Sequence, residues 1–129
     1  MDDPLASLLI DETEMARDEL AEALRPYVRL TRSGDFVFED SFDSLPAKAR
    51  VACVLLALKA GHLLGLRDEP GAAPQEIVAK SGLPPGTVRP KLSELLRDRV
   101  TEKQRGRYSI PAYGMRKAAA LLRRNHGRD

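Results

Sequence analysis

A chain of 129 residues, 43% of them hydrophobic, is long enough and apolar enough to bury one core, and its single cysteine excludes an internal disulfide. The net charge of +2 conceals an asymmetry, because residues 1–46 carry 12 acidic and 4 basic side chains, whereas residues 47–129 carry 17 basic and 7 acidic ones. The two parts therefore predict different partners, unless the acids pair with the bases inside one molecule or across a dimer.

The acidic part predicts a helix followed by a β-hairpin. Residues 11–25 place apolar side chains roughly on one face and acids in the first turns, where the helix dipole favours them, and Pro26 ends the pattern. Alternating residues, a Ser-Gly-Asp break and a Phe-Val-Phe run predict a hairpin over residues 27–38. All three phenylalanines lie within residues 36–42, so we expect this hairpin to pack firmly on another part of the protein.

The longest predicted helix covers residues 45–66, with Ser44 as its N-cap and Pro46 near its start. Apolar side chains nearly surround residues 51–58, which predicts a helix at the centre of the core.

Membrane and secretory classes are not expected. Lys59 and His62 interrupt the apolar run, which is too short and too polar for a membrane span. Asp2 and Asp3 stand where a secretory signal would be basic. We therefore expect a cytoplasmic protein.

The basic part predicts two helices joined by a tight turn and then a basic hairpin. Pro74 suits the first position of a helix, and Gly82 suits the left-handed position that ends it. Val88, Leu92, Leu95 and Leu96 form a predicted buried stripe on the second helix, at spacings of three and four residues. The remaining predicted elements are that second helix over residues 85–99, a hairpin pairing residues 100–103 with 107–110, and a final helix over residues 113–124.

Polar side chains on or near the open side of the second helix are candidates for contact with DNA, namely Thr87, Arg89, Lys91 and Ser93. Arg89 can donate two hydrogen bonds to guanine O6 and N7, a contact worth about 1–3 kcal/mol of discrimination. Lys91 can do the same or meet a phosphate, and Thr87 and Ser93 suit phosphate oxygens or base edges. The alternative is that all four are ordinary solvated helix residues.

The predicted hairpin carries three cations around Gly106, which are Lys103, Arg105 and Arg107. Such charges fit phosphates or a narrow minor groove. The alternative is that they are edge-strand charges, which prevent unwanted strand pairing.

Catalytic, metal and cofactor sites are not expected. Cys53, His62 and His126 lack any metal-ligand spacing, and the sequence contains no GxSxG, GxGxxG or Walker-type loop.

The basic part resembles the winged helix-turn-helix superfamily over residues 45–124. The resemblance is carried by the run IVAKSGLPPGTVRPKLSELLRDRVTEKQRGRYSIP and by the preceding helix, and GLPPGTVRPKLSEL is similar in style to bacterial and archaeal regulators. It implies that Thr87, Arg89 and Lys91 lie at recognition-helix positions and Arg105 and Arg107 at the wing.

Two features depart from the pattern of the superfamily. Many of its regulators carry glycine where Arg99 stands, and residues 1–44 match no effector domain of such regulators.

We therefore expect an α+β, mainly α fold. It comprises a winged helix-turn-helix domain with a C-terminal helix over residues 45–129 and an acidic helix and β-hairpin extension over residues 1–44. The expected function is sequence-specific binding of double-stranded DNA, through a recognition helix at about 85–99 and a wing at about 100–110, by a small transcriptional regulator that is not an enzyme. A homodimer through the N-terminal helix, the C-terminal helix or both is expected, because two modules give two half-sites.

The alternative function is a winged-helix adaptor for protein–protein interaction, or a non-specific DNA-binding subunit of a larger complex. In the adaptor, the acidic segment holds a basic protein partner, or the basic face holds an acidic one.

Overall fold

A computed structural model of the protein describes residues 3–9 and 13–126, with side chains described as far as Arg123. These residues form an α+β, mainly helical fold with five α-helices and two small antiparallel hairpin sheets. The helices are α1 (Arg17–Leu24), α2 (Ala47–Leu63), α3 (Pro74–Ser81), α4 (Pro85–Arg97) and α5 (Ala112–His126). The strands are β1 (Val28–Leu30), β2 (Phe36–Phe38), β3 (Glu102–Gln104) and β4 (Arg107–Ser109), and 3-10 helices span Pro4–Leu8 and Asp40–Ser44.

The core is built around α2. Every side chain from Val51 to Leu58 is fully buried, because α1, α3, α4 and α5 all pack against this helix. A helix that is apolar on all sides needs such a complete cover, so the prediction of a central helix is confirmed. Among the described residues, no helix combines the length and apolar character needed to cross a membrane.

The chain enters α2 through a 3-10 helix, Asp40–Ser44, that the sequence did not indicate. The Ser44 hydroxyl donates to the Ser41 carbonyl oxygen at 2.7 Å, and α2 begins after Pro46, so the prediction of Ser44 as N-cap is wrong. Phe42 in this turn is buried, and its ring stacks on that of Phe38 with centroids 4.2 Å apart. The phenylalanines therefore join the first hairpin to the core, as expected.

α1 is shorter than the predicted helix. Residues 11 and 12 lie outside the described residues, residues 13–16 are not helical, and α1 begins at Arg17. The predicted hairpin is present, with β1 paired antiparallel to β2. Leu20 and Leu24 of α1 and Val28 of β1 are buried in the same cluster as α2.

Polar contacts also join the acidic part to the basic part. The Tyr27 hydroxyl donates to the Leu122 carbonyl oxygen at 3.2 Å, which ties the start of β1 to α5. Glu14 lies 3.6 Å from Lys59 Nζ, and Glu19 lies 4.0 Å from an Arg116 guanidinium nitrogen. Some acids of the N-terminal part are therefore paired with bases of the C-terminal part within one molecule.

The second hairpin pairs with the loop before α3. Ala72 N donates to Tyr108 O at 3.0 Å, and Tyr108 N donates to Ala72 O at 2.9 Å, so β4 has a neighbour on both sides. Gly71 permits this approach, because a Cβ atom there would lie 2.0 Å from the Tyr108 carbonyl oxygen. The backbone of residues 71 and 72 therefore fixes the hairpin beside the helices.

Two helical glycines give opposite expectations for substitution by alanine. A Cβ atom at Gly114 in α5 would lie 2.0 Å from the Val100 carbonyl oxygen, whereas Gly86 in α4 faces open space. We expect Gly114→Ala to lower the free energy of unfolding by about 1–3 kcal/mol or more, through overpacking. Gly86→Ala should raise it by up to about 1 kcal/mol, through helix propensity. Urea denaturation of both variants measures this, and equal effects would contradict the close packing of α5.

Candidate nucleic-acid interface

The turn between α3 and α4 determines where α4 begins. Gly82 ends α3 in the left-handed conformation, with φ of 72°, as the sequence predicted. Ser81 is 1% exposed, and its hydroxyl donates to the Val78 carbonyl oxygen and accepts from Leu83 N, both at 3.1 Å. Arg50 of α2 donates to the Ser81 carbonyl oxygen at 3.3 Å. The turn is therefore stabilised by its own hydrogen bonds and by a hydrogen bond from α2.

The inner side of α4 lies in the core. Val88, Leu92 and Leu95 are buried, as the spacing predicted. Leu96 is 37% exposed, so its predicted burial is wrong, because it lies about 100° round the helix from Leu95. The carbonyl oxygen of Leu95 accepts from Val100 N at 2.9 Å, which turns the chain toward the second hairpin immediately after the helix. Because the inner side of α4 packs in the core, its opposite side faces solvent.

The four candidate residues of α4 fall into two groups. Arg89 and Ser93 are exposed, whereas Thr87 and Lys91 are half-buried. Because an α-helix turns about 100° per residue, Arg89 and Ser93 lie one turn apart in the same row, and Arg97 continues that row. Arg97 is also exposed. We call Arg89, Ser93 and Arg97 the α4 outer face.

Arg97 is absent from the candidates predicted from the sequence. Its spacing of four residues from Ser93 and eight from Arg89 is the signal that identifies it as part of the same row.

Lys91 already has a partner on the flank of α4. Its Nζ donates to Glu94 Oε2 at 3.0 Å, and Glu94 Oε1 lies 3.8 Å from Lys48 Nζ of α2. The hydrogen bond from Lys91 is the largest influence on the Glu94 carboxyl, whose pKa is lowered from its usual value. A hydrogen bond from Lys48 lowers the pKa of Asp98 in the same way. This flank is therefore a mixed-charge contact between α4 and α2, and a DNA contact by Lys91 stays a prediction.

The second hairpin turns through two residues, Arg105 and Gly106. Their φ angles are 53° and 76°, and Gln104 pairs with Arg107 on either side, which is the geometry of a type I′ turn. Gly106 accepts this conformation without strain, whereas arginine at the first position is unusual. The hairpin tip, defined as Arg105 and Gly106, is exposed.

The side chains of the other two cations of the hairpin contact neighbouring residues. Lys103 is exposed, but its Nζ lies 5.4 Å from the centre of the Tyr108 ring on the paired strand. Arg107 is half-buried and donates to the Gly71 carbonyl oxygen at 3.4 Å. Arg107 therefore helps to hold the hairpin against the loop before α3, and its predicted DNA contact stays a prediction.

Arg99 follows α4 with a φ of 60°, a conformation that glycine adopts more readily. Its N–H donates to the Leu96 carbonyl oxygen at 3.2 Å, and the following Val100 N–H donates to Leu95. The left-handed backbone expected of a glycine at this position is thus present with an arginine, whose side chain is exposed.

The described residues contain no group of three or more His, Cys, Asp or Glu side chains placed to hold a metal ion. Cys53 is fully buried in α2, and burial raises the pKa of its thiol to about 12. A thiol with so high a pKa is protonated at neutral pH and is a poor nucleophile.

Comparisons with models of protein families, with curated proteins and with solved structures find no match to this chain. The geometry of α4 and the second hairpin is therefore the basis for the function proposed below.

The buried hydroxyl of Ser81 predicts a stability effect at the turn. Ser81→Ala removes both hydrogen bonds that brace the turn and leaves Leu83 N without its partner, so we expect the free energy of unfolding to fall by about 1–2 kcal/mol. The matched control is Ser93→Ala, an exposed serine on α4 that should change the value by less than about 0.5 kcal/mol. Chemical denaturation compares the two variants, and an equal loss would show that Ser81 has no special role in the turn.

Proposed function

We propose that this protein is a winged-helix protein that binds double-stranded DNA in a sequence-specific manner, with α4 as the recognition helix and β3–β4 as the wing. Support comes from the order of the elements, in which α2, α3 and α4 precede a hairpin whose second strand also pairs with Ala72. One observation carries most weight. The inner side of α4 is anchored in the core and its outer face is exposed, and a hairpin with an exposed basic tip follows directly.

The α4 outer face has the chemistry for a major groove, which is wide enough to admit a helix. Arg89 is exposed and forms no ion pair with any described residue, so its guanidinium can donate to guanine O6 and N7 without first breaking an internal contact. Ser93 lies one turn further and suits a base edge or a phosphate. Arg97, another turn along, suits a phosphate at the edge of the groove.

The hairpin tip supplies contacts that do not depend on sequence. Arg105 is exposed at the turn, and a guanidinium there can meet phosphates or enter a narrow minor groove. Lys103 can add a phosphate contact from β3. We assign Lys91 and Arg107 to supporting this surface, because Glu94 and Gly71 already engage them.

A small transcriptional regulator is the role that this chemistry favours. One recognition helix reads only a few base pairs, so a homodimer that reads two half-sites reaches the specificity that regulation requires. α1, whose acidic side chains would repel DNA phosphates, packs against α2 and α5.

Selection of binding sites from random duplex DNA at two salt concentrations tests the proposal. We expect an enriched motif with two related half-sites and weaker binding at the higher salt. Salt-sensitive binding without a motif would instead support a non-specific DNA-binding subunit. Absence of binding at low salt would support the protein-interaction adaptor and contradict DNA binding.

Arg89→Ala should reduce discrimination between the selected site and a variant site. The expected loss of preference is about 1–3 kcal/mol at one base position, because the two hydrogen bonds to guanine are removed. Arg32→Ala, an exposed arginine in the turn of the first hairpin, is the control for the same loss of charge. Fluorescence anisotropy with matched duplexes measures both, and an equal loss on every sequence would contradict base reading by Arg89.

Arg105→Asn should weaken binding to every duplex by a similar factor and reduce the slope of log K against log salt by about 1. Asparagine tolerates a positive φ, so the hairpin turn keeps its shape while its charge is removed. Arg105→Lys keeps the charge and should keep the slope. A change in preferred sequence with an unchanged slope would contradict a phosphate contact.

A further inference from the structure

An apolar groove lies between α1, β1 and the C-terminal end of α2, away from α4 and the second hairpin. Its volume is about 310 Å³, and its apolar lining includes Leu20, Leu24, Val28, Leu30, Leu63 and Leu64. Leu64 is 60% exposed, so apolar surface continues to the mouth of the groove. We call this cavity the α1 groove.

Arginines form the polar part of the α1 groove. Arg17, Arg25 and Arg29 line it, and none of its described lining residues is acidic. Arg17 donates to the Leu63 carbonyl oxygen at 3.1 Å. The side chains of Arg25 and Arg29 are about half exposed, and each has an acidic neighbour outside the lining. The groove thus combines an apolar floor with a basic rim.

The N-terminal segment, residues 3–9, has the complementary chemistry. It forms a short 3-10 helix that begins with a hydrogen bond from Leu5 N to Asp3 Oδ1 at 2.9 Å. Leu5, Leu8 and Leu9 are 68%, 74% and 80% exposed, which makes them half of the six large apolar side chains exposed among the described residues. In the sequence, the flanking charges are all acidic, namely Asp2, Asp3, Asp11 and Glu12.

We propose that the N-terminal segment of one molecule docks in the α1 groove of a second copy, and that the reciprocal contact completes a homodimer. The leucines match the apolar floor. The flanking acids match the arginine rim, where they would replace Glu22 and Glu39 as partners of Arg25 and Arg29, and ion pairs so exposed contribute little to stability. Within a single chain, the N-terminal segment does not occupy the α1 groove of the same chain, because its leucines are exposed and none of them lines that groove.

This reciprocal docking would cover the exposed leucines of each N-terminal segment with the α1 groove of the other copy. A two-fold dimer makes the same contact twice, so two modest dockings add to one stable interface. This homodimer forms independently of any DNA, and the groove contains no residue of the α4 outer face or of the hairpin tip.

Sedimentation equilibrium of the full chain tests the exchange. We expect the wild type to be dimeric at concentrations on the order of 100 μM, and the triple variant Leu5→Ser/Leu8→Ser/Leu9→Ser to dimerise at least about tenfold more weakly. Val37→Ser is the control, because it removes another exposed apolar side chain, 54% exposed, from the first hairpin. Circular dichroism checks that each variant is folded.

A charge exchange identifies the groove as the docking site. Arg25→Glu/Arg29→Glu and Asp2→Lys/Asp11→Lys should each weaken self-association, because like charges then meet at the rim. An equimolar mixture of the two variants should form a heterodimer, because each segment then finds a rim of opposite charge.

Three results would overturn the proposal. They are a monomeric wild type, a leucine variant that dimerises like the wild type, and a dimer that is insensitive to the charge changes. The first would leave the groove to another protein or a small ligand, and the other two would place the dimer contact elsewhere.

Discussion

Burial of α2 is the constraint on which the rest of the structure depends. Eight consecutive side chains, Val51 to Leu58, have no contact with solvent, so the other helices must cover this one on every side. α4 contributes Val88, Leu92 and Leu95 to that cover, which fixes its opposite side as the exposed one. The turn braced by Ser81, together with the pairing of Ala72 and Tyr108, then sets the start of α4 and the position of the hairpin.

The basic side chains of the C-terminal part differ in whether another group of the protein already binds them. Lys91 and Arg107 lie close to the core, where Glu94 and the Gly71 carbonyl oxygen engage them, whereas Arg89 and Arg105 are exposed. A cation with an internal partner must break that contact before it binds a phosphate, so exposed cations bind at lower cost. Formal charge alone therefore overstates the number of residues available to DNA.

Local signals in the sequence predicted most of the elements. Pro74 and Gly82 mark the ends of α3, and the apolar stripe predicts which side of α4 is buried. Features that depend on distant contacts could not be predicted. Arg107 donates to a carbonyl oxygen in a loop 36 residues away, Lys48 of α2 lies 3.8 Å from Glu94 of α4, and the α1 groove combines residues of α1, β1 and α2. The 3-10 helix before α2 was missed because Pro46 and Ser44 mimic a helix start.

The central claim is that the α4 outer face and the hairpin tip form the surface that binds DNA. Titration of the ¹⁵N-labelled protein with a duplex carrying the selected site, followed by two-dimensional NMR, tests it most directly. The account predicts that changes in amide chemical shift concentrate at Arg89, Ser93, Arg97 and Arg105 and are small in α1 and the first hairpin. Changes concentrated in α1, or no changes at low salt, would contradict it.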